Sequence, residues 1–141
     1  MYRPKYYTIT ELVNPKLLKE IGEETAWKLF DPTLLKLADE IRRKYGACTV
    51  NGNGLTDCGL RDINSTTGAK YSAHKLGRAL DIHIASIEKK WGANKTGKIA
   101  DYNRVREQLM LDHAFDSLNF EHGISWLHID TYNRNNRLFN P

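Results

Sequence analysis

Apolar positions recur at helical spacing through the first third of the chain and alternate at strand spacing further on. Leu34, Leu35, Leu37, Ala38, Ile41 and Tyr45 share one face of a helix that Asp31-Pro32 starts and Gly46 stops. Asn14-Pro15 repeats that cap-and-proline start, and Gly22 fits as its stop. Beyond Gly46 the period shortens. Cys48-Thr49-Val50 reads as a short strand and Asn51-Gly52-Asn53-Gly54 as a turn. Residues 57–71 are polar, contain Gly59 and Gly68, and read as a long loop of the kind that carries function in compact domains. Leu80 to Ala85 alternates as a strand, and residues 88–98 form a polar excursion with two glycines. A third long helix is expected from about Asn103 to Leu118, carrying Val105, Leu109 and Ala114. Ile124 to Thr131 alternates again, and the tail from Asn133 is polar. Helices first and strands later, joined by long connections, predict an α+β fold with N-terminal helices packed on a small antiparallel sheet.

The 141 residues suit one domain, residues 1–141, large enough to bury a core without metal or disulfide staples. A metal bound here therefore points to chemistry rather than to foldability. The formal net charge is +4 and the pI about 9.1, which favours anionic partners. Lys and Arg are scattered, with short clusters only at Arg42–Lys44 and Glu88–Lys90, so no nucleic-acid groove is expected. No apolar run approaches the ~20 residues that span a bilayer, so membrane insertion is not expected. The opening Met1-Tyr2-Arg3-Pro4 lacks an apolar core, so synthesis in the cytoplasm without a secretory signal is the expectation. A monomer is expected. Cys48 and Cys58 form no Cys-x-x-Cys pair and read as two buried free thiols, with a disulfide across the short loop between them as the alternative.

The chemistry concentrates in Ser72-Ala73-His74-Lys75-Leu76-Gly77-Arg78-Ala79-Leu80-Asp81. His74 stands where the long loop ends, and Asp81 lies in the strand that follows. Small Gly77 and Ala79 let the loop backbone approach the sheet and bring the two side chains together. Trp126-Leu127-His128-Ile129-Asp130 is the second piece. Strand parity puts Trp126, His128 and Asp130 on one face and Leu127 and Ile129 on the other, and it pairs Asp81 with His83 in the same way. Two imidazoles and a carboxylate are a zinc ligand set that leaves a fourth position for water. His83 and Asp130 then become candidates to support the ligands or touch substrate.

Ser72-x-His74-x-x-Gly77-x-Ala79-x-Asp81 resembles the first signature of the zinc D-Ala-D-Ala carboxypeptidases. That family includes L-alanyl-D-glutamate endopeptidases of phages and bacteria and shares its fold with Hedgehog signalling domains. Trp126-x-His128-Ile129-Asp130 is similar to the second signature, and the resemblance spans roughly residues 30–132. It implies one zinc ion held by His74, Asp81 and His128, with peptidoglycan stem peptides as substrate. Ser72 and Arg61 are the implied substrate contacts, and Trp126 and Asp130, on the cleft face by strand parity, are expected to join them; Arg61, in Cys58-Gly59-Leu60-Arg61, corresponds to an arginine that holds a substrate carboxylate. The resemblance also implies action at the cell wall, after holin-type release or as part of a phage particle. One departure stands out. Many members carry a glutamate three residues before the last histidine, and Ser125 occupies that place. Glu121, seven residues before His128, is the expected general base, with His122, His113 and Asp130 as weaker candidates. A zinc-bearing binding or structural module without turnover is the alternative expectation.

Overall fold

The computed structural model describes residues 1–141. Six helices and five strands follow one another in blocks, four helices, two strands, two helices and three strands, in an α+β arrangement. The helices are α1 (Ile9–Leu12), α2 (Pro15–Ile21), α3 (Glu23–Leu29), α4 (Pro32–Tyr45), α5 (Ala85–Trp91) and α6 (Lys95–Leu111). The strands are β1 (Cys48–Thr49), β2 (Ala79–Ile84), β3 (Asn119–Glu121), β4 (Leu127–Asp130) and β5 (Leu138–Phe139). They form one sheet in the order β1-β2-β4-β3-β5.

The two helices with proline starts form where expected. Asn14 accepts from the backbone N–H groups of Lys16 and Leu17, and Asp31 from that of Thr33, so each cap satisfies donors that the first helical turn leaves free. α4 buries Leu34, Leu35, Ala38 and Ile41 on the anticipated face, and each large side chain contributes about 1.5–3 kcal/mol of burial. β2 and β4 supply the facing layer. Leu80, Ile82, Ile84, Leu127 and Ile129 are buried in one core of 27 residues that also takes in α1, α3, α4 and α6. The opposite face of the same two strands carries Asp81, His83, His128 and Asp130.

Three expectations are corrected. The third long helix spans Lys95–Leu111, not Asn103 to Leu118. The polar excursion is itself helical: it holds the later part of α5, from Glu88 to Trp91, and the first turn of α6, which Asn94 caps by accepting from Gly97 N–H at 3.1 Å. Gly97 is no breaker, because a Cβ there would stand 2.2 Å from the ring of Trp91. Asp112 ends α6 and caps a short 3-10 turn, His113–Phe115, which frees 119–121 to become β3. Finally, the sheet is mixed rather than antiparallel. β5 forms within the polar tail and pairs parallel with β3, matching Phe120 to Leu138 and Glu121 to Phe139. No helix is long and apolar enough to cross a membrane.

Candidate metal centre

β2 and β4 pair antiparallel with Asp81 directly opposite His128, so both side chains rise from the same patch of sheet. His74 arrives from a 3-10 turn, Ala73–Leu76, whose cap Ser72 accepts from His74 N–H at 3.2 Å. The turn closes on Gly77 in a left-handed conformation (φ +67°), and a Cβ at this glycine would stand 2.0 Å from the carbonyl oxygen of Leu29. Only glycine lets the turn lie this close to the α3–α4 junction. The result is three buried residues whose ligand atoms all lie within 4.8 Å of one another. Nε2 of His74 is 3.3 Å from Oδ2 of Asp81, and Nδ1 of His128 is 2.9 Å from Oδ1. Donors around a tetrahedral zinc stand about 3.3 Å apart for bonds of ~2.0–2.1 Å. This group can hold a metal ion.

The outward ring nitrogens of both histidines are also engaged. Nδ1 of His74 donates to the carbonyl of Gly59 at 3.0 Å, which leaves Nε2 as the ring nitrogen that faces Asp81. That carbonyl is in place because Gly59 packs on Leu12, where a Cβ would meet the backbone oxygen at 1.9 Å. Nε2 of His128 faces Oδ2 of Asp130 at 2.6 Å. A histidine that ligates a metal donates its other ring N–H to a carbonyl or a carboxylate, which fixes tautomer and orientation, and both histidines here have such a partner.

The electrostatics agree. Burial pushes the Asp81 carboxyl up, but the charge of His74 and hydrogen bonds from both histidines outweigh it and hold the group well below the usual carboxylate range. For His128, burial favours the neutral ring, yet the hydrogen bonds and charges of Asp130 and Asp81 raise its pKa to about 9. The ring of His128 thus spans two carboxylates, 2.9 Å from Asp81 and 2.6 Å from Asp130.

Glu121, at the end of β3, brings Oε2 to 3.9 Å from Nδ1 of His128 and lines the same cleft of about 410 Å³ as the three ligands. His113 is exposed beside Asp116, and His122 lines a separate hollow with Arg106 and Met110. Neither lines the metal cleft. Ser125 faces an adjoining cavity with Glu88 and Lys98.

Ser72, Arg61 and Trp126 also line the cleft. Arg61 donates through Nε to the carbonyl of Asp57 at 2.7 Å and lies 3.6 Å from Asp81, so its loop is tied to the ligand shell. Arg61, Asp81 and Trp126 lie between the cleft and a neighbouring cavity of about 320 Å³, which His83 also lines. His83 makes no hydrogen bond to any of the three ligands. Its Nδ1 is buried without a partner, and burial lowers its pKa. His83 thus lines the neighbouring cavity beside Asp81, and no hydrogen bond joins it to the three residues.

Asp130 is corrected too. Its side chain is 0% exposed and is spent on His128, Asn119, Tyr132 N–H and Arg134, so it is not a substrate contact. Parity placed it on the right face, but Asn119 and Arg134 cover it. Three further residues shape the site. Asn119 donates to Asp130 at 2.8 Å, Arg134 forks onto the same carboxylate, and Phe139 meets the ring of His128 edge-on at 5.7 Å. Arg106, fully buried in α6, donates to the carbonyls of Ile124 and Trp126 and so aims the approach to β4. An arginine on an otherwise apolar helix face was its only sequence signal. No family model, curated protein or solved structure matches this chain.

Proposed function

We propose that the chain is a zinc-dependent peptidase that hydrolyses peptide bonds in peptidoglycan stem peptides. The observation that carries this reading is the convergence of His74, Asp81 and His128, each histidine backed by its own acceptor, with a carboxylate beside them in an open cleft. Two histidines and an aspartate suit zinc and leave a coordination position free. The placement of the ligands on a loop turn and on two paired strands supports the Hedgehog-type peptidase fold, although a fold hosts more than one function.

A divalent ion held there supplies Lewis acidity toward a peptide carbonyl and makes water a nucleophile near neutral pH. The protein supplies the remainder. Glu121 accepts a proton from the attacking water at its carboxylate and returns it to the leaving amine. His128 and His74 keep their outward N–H groups on Asp130 and Gly59, so neither ring turns during the reaction. Arg61 and the Ser72 hydroxyl line the cleft as donors for substrate carbonyl or carboxylate oxygens. Trp126 offers an apolar wall.

Metal analysis combined with digestion of several peptidoglycans, read by mass spectrometry, tests the proposal. One zinc per chain, lost in His74→Ala, and released stem-peptide fragments are the expected results. Zinc uptake without fragments from any wall type replaces the peptidase with a zinc-bearing binding module. A wild-type protein that takes up no metal removes both readings.

A further inference from the structure

We propose that Arg134 is a positioning residue of the metal centre: by clamping Asp130 it holds the ring of His128 with Nδ1 facing the ion. The proposal rests on the metal-binding reading above but not on peptidase chemistry.

The buried carboxylate of Asp130 collects every hydrogen bond it can use. Oδ1 accepts from Asn119 at 2.8 Å and from Tyr132 N–H at 3.2 Å, and Oδ2 faces Nε2 of His128 at 2.6 Å. Arg134 reaches both oxygens, Nε at 3.2 and 3.1 Å and a terminal nitrogen of the guanidinium at 2.8 Å. Of these partners only His128 and Arg134 bring positive charge. Arg134 is the partner that grips both oxygens at once, and its planar fork keeps the carboxylate of Asp130 aimed at Nε2.

Arg134 also reaches His128 from another side. Its guanidinium lies 3.8 Å from the ring centroid of Phe139, and that ring stands perpendicular to the imidazole of His128. The imidazole is thus held at one edge by a carboxylate and flanked by an aromatic ring, and one arginine fixes both. A half-turn of the ring would exchange Nδ1 for carbon, and this double contact opposes it.

The segment carrying Arg134 is fastened independently. Arg137 donates to the carbonyls of Leu118 and Phe115 at 2.9 and 2.8 Å, and β5 pairs with β3. A substitution at Arg134 therefore removes the clamp without detaching the segment, and Arg137 is the matching control.

The experiment measures zinc affinity by competition with a chromophoric chelator for the wild type, R134Q, R134K and R137Q, with far-UV circular dichroism to verify folding. R134Q is expected to bind zinc about 10- to 100-fold more weakly, as for other partners that orient a ligating histidine. R134K falls between it and the wild type, because the charge remains and the planar fork is lost. R137Q weakens binding less than R134Q, because Arg134 still grips Asp130 and the pairing of β5 with β3 still holds the segment. Unchanged affinity in R134Q overturns the proposal, and so does equal weakening in R137Q, which would mean that docking of the segment is what matters. If R134Q does not fold, R134K carries the test, and wild-type affinity in R134K overturns the proposal. A wild type that binds zinc and shows this series yet releases no peptide removes the peptidase and leaves the clamp. A wild type without zinc removes both.

Discussion

Gly77→Ala tests how the loop is brought to the sheet. The residue sits at φ +67°, ψ +24°, where an alanine costs about 1–2 kcal/mol relative to glycine. The new Cβ would also stand 2.0 Å from the carbonyl oxygen of Leu29 and 3.1 Å from Cα of Phe30. Reaching an ordinary contact of 3.4 Å requires an opening of about 1.4 Å, the difference between 3.4 and 2.0 Å. Overpacking of this kind adds about 1–3 kcal/mol. The same opening stretches the bond from Asp31 N–H to the Gly77 carbonyl, now 3.0 Å, and removes His74 from Asp81. The expected loss is about 2–5 kcal/mol, a large part of the roughly 5–15 kcal/mol of a typical domain. Urea unfolding followed by tryptophan fluorescence on metal-free protein measures it. Gly123→Ala is the internal control: its φ is +79° and an added methyl would meet nothing within 4 Å, so only the conformational cost remains. If Gly77→Ala costs no more than Gly123→Ala, the close approach of loop and helix junction is not what positions His74. Weakened zinc binding should accompany the stability loss, since both follow from one displacement.

Glu121→Gln should lower kcat on peptidoglycan fragments by about 10²–10⁴-fold while zinc stoichiometry stays at one, and undiminished cleavage would show that the base lies elsewhere. The pKa of His128 is raised from 6.5 to about 9, so the stability it contributes to the metal-free protein is complete below pH 6.5 and is lost as pH rises through 9. Thermal melts of metal-free protein should therefore fall across that interval while zinc affinity climbs, because the ion displaces the same proton; flat profiles in both would refute this. Burial pushes the Cys48 thiol to about 11 and the Cys58 thiol to about 12, and both are free. A disulfide-exchange reagent at pH 8 should react slowly with native protein and titrate two thiols in denaturant; rapid native labelling of either would contradict their burial.

What was legible in the sequence follows from the range of the signals. The starts of α2 and α4 depend on caps that touch residues two or three positions away, so Asn14-Pro15 and Asp31-Pro32 are readable locally. β2 and β4 are readable because one face must enter the core. The remainder is set by distant contacts. Gly97 looks like a breaker until Trp91 packs on it, and the polar tail shows no strand character until Arg137 fastens it to Leu118 and Phe115. β3 is three residues long, and its pairing with β4 rather than its composition makes it a strand.

The same distinction explains the site. His74, Asp81 and His128 were legible because ligand chemistry limits the residue types and because strand parity places two of them on one face. Parity gives the face of a side chain but not what covers it. Asp130 and His83 occupy the same side of the sheet as the ligands, yet one is sealed beneath Arg134 and Asn119 and the other opens to a different cavity. The covering groups come from β3 and the segment after β4, where no motif marks them. The proposed function divides along this line: the candidate ligand atoms follow from local pattern, while the groups that orient them and the proposed base, Glu121, depend on how β3 and the segment after β4 are placed. Substitutions at Arg134 and Glu121 probe that closure, whereas substitutions at His74 probe only the motif.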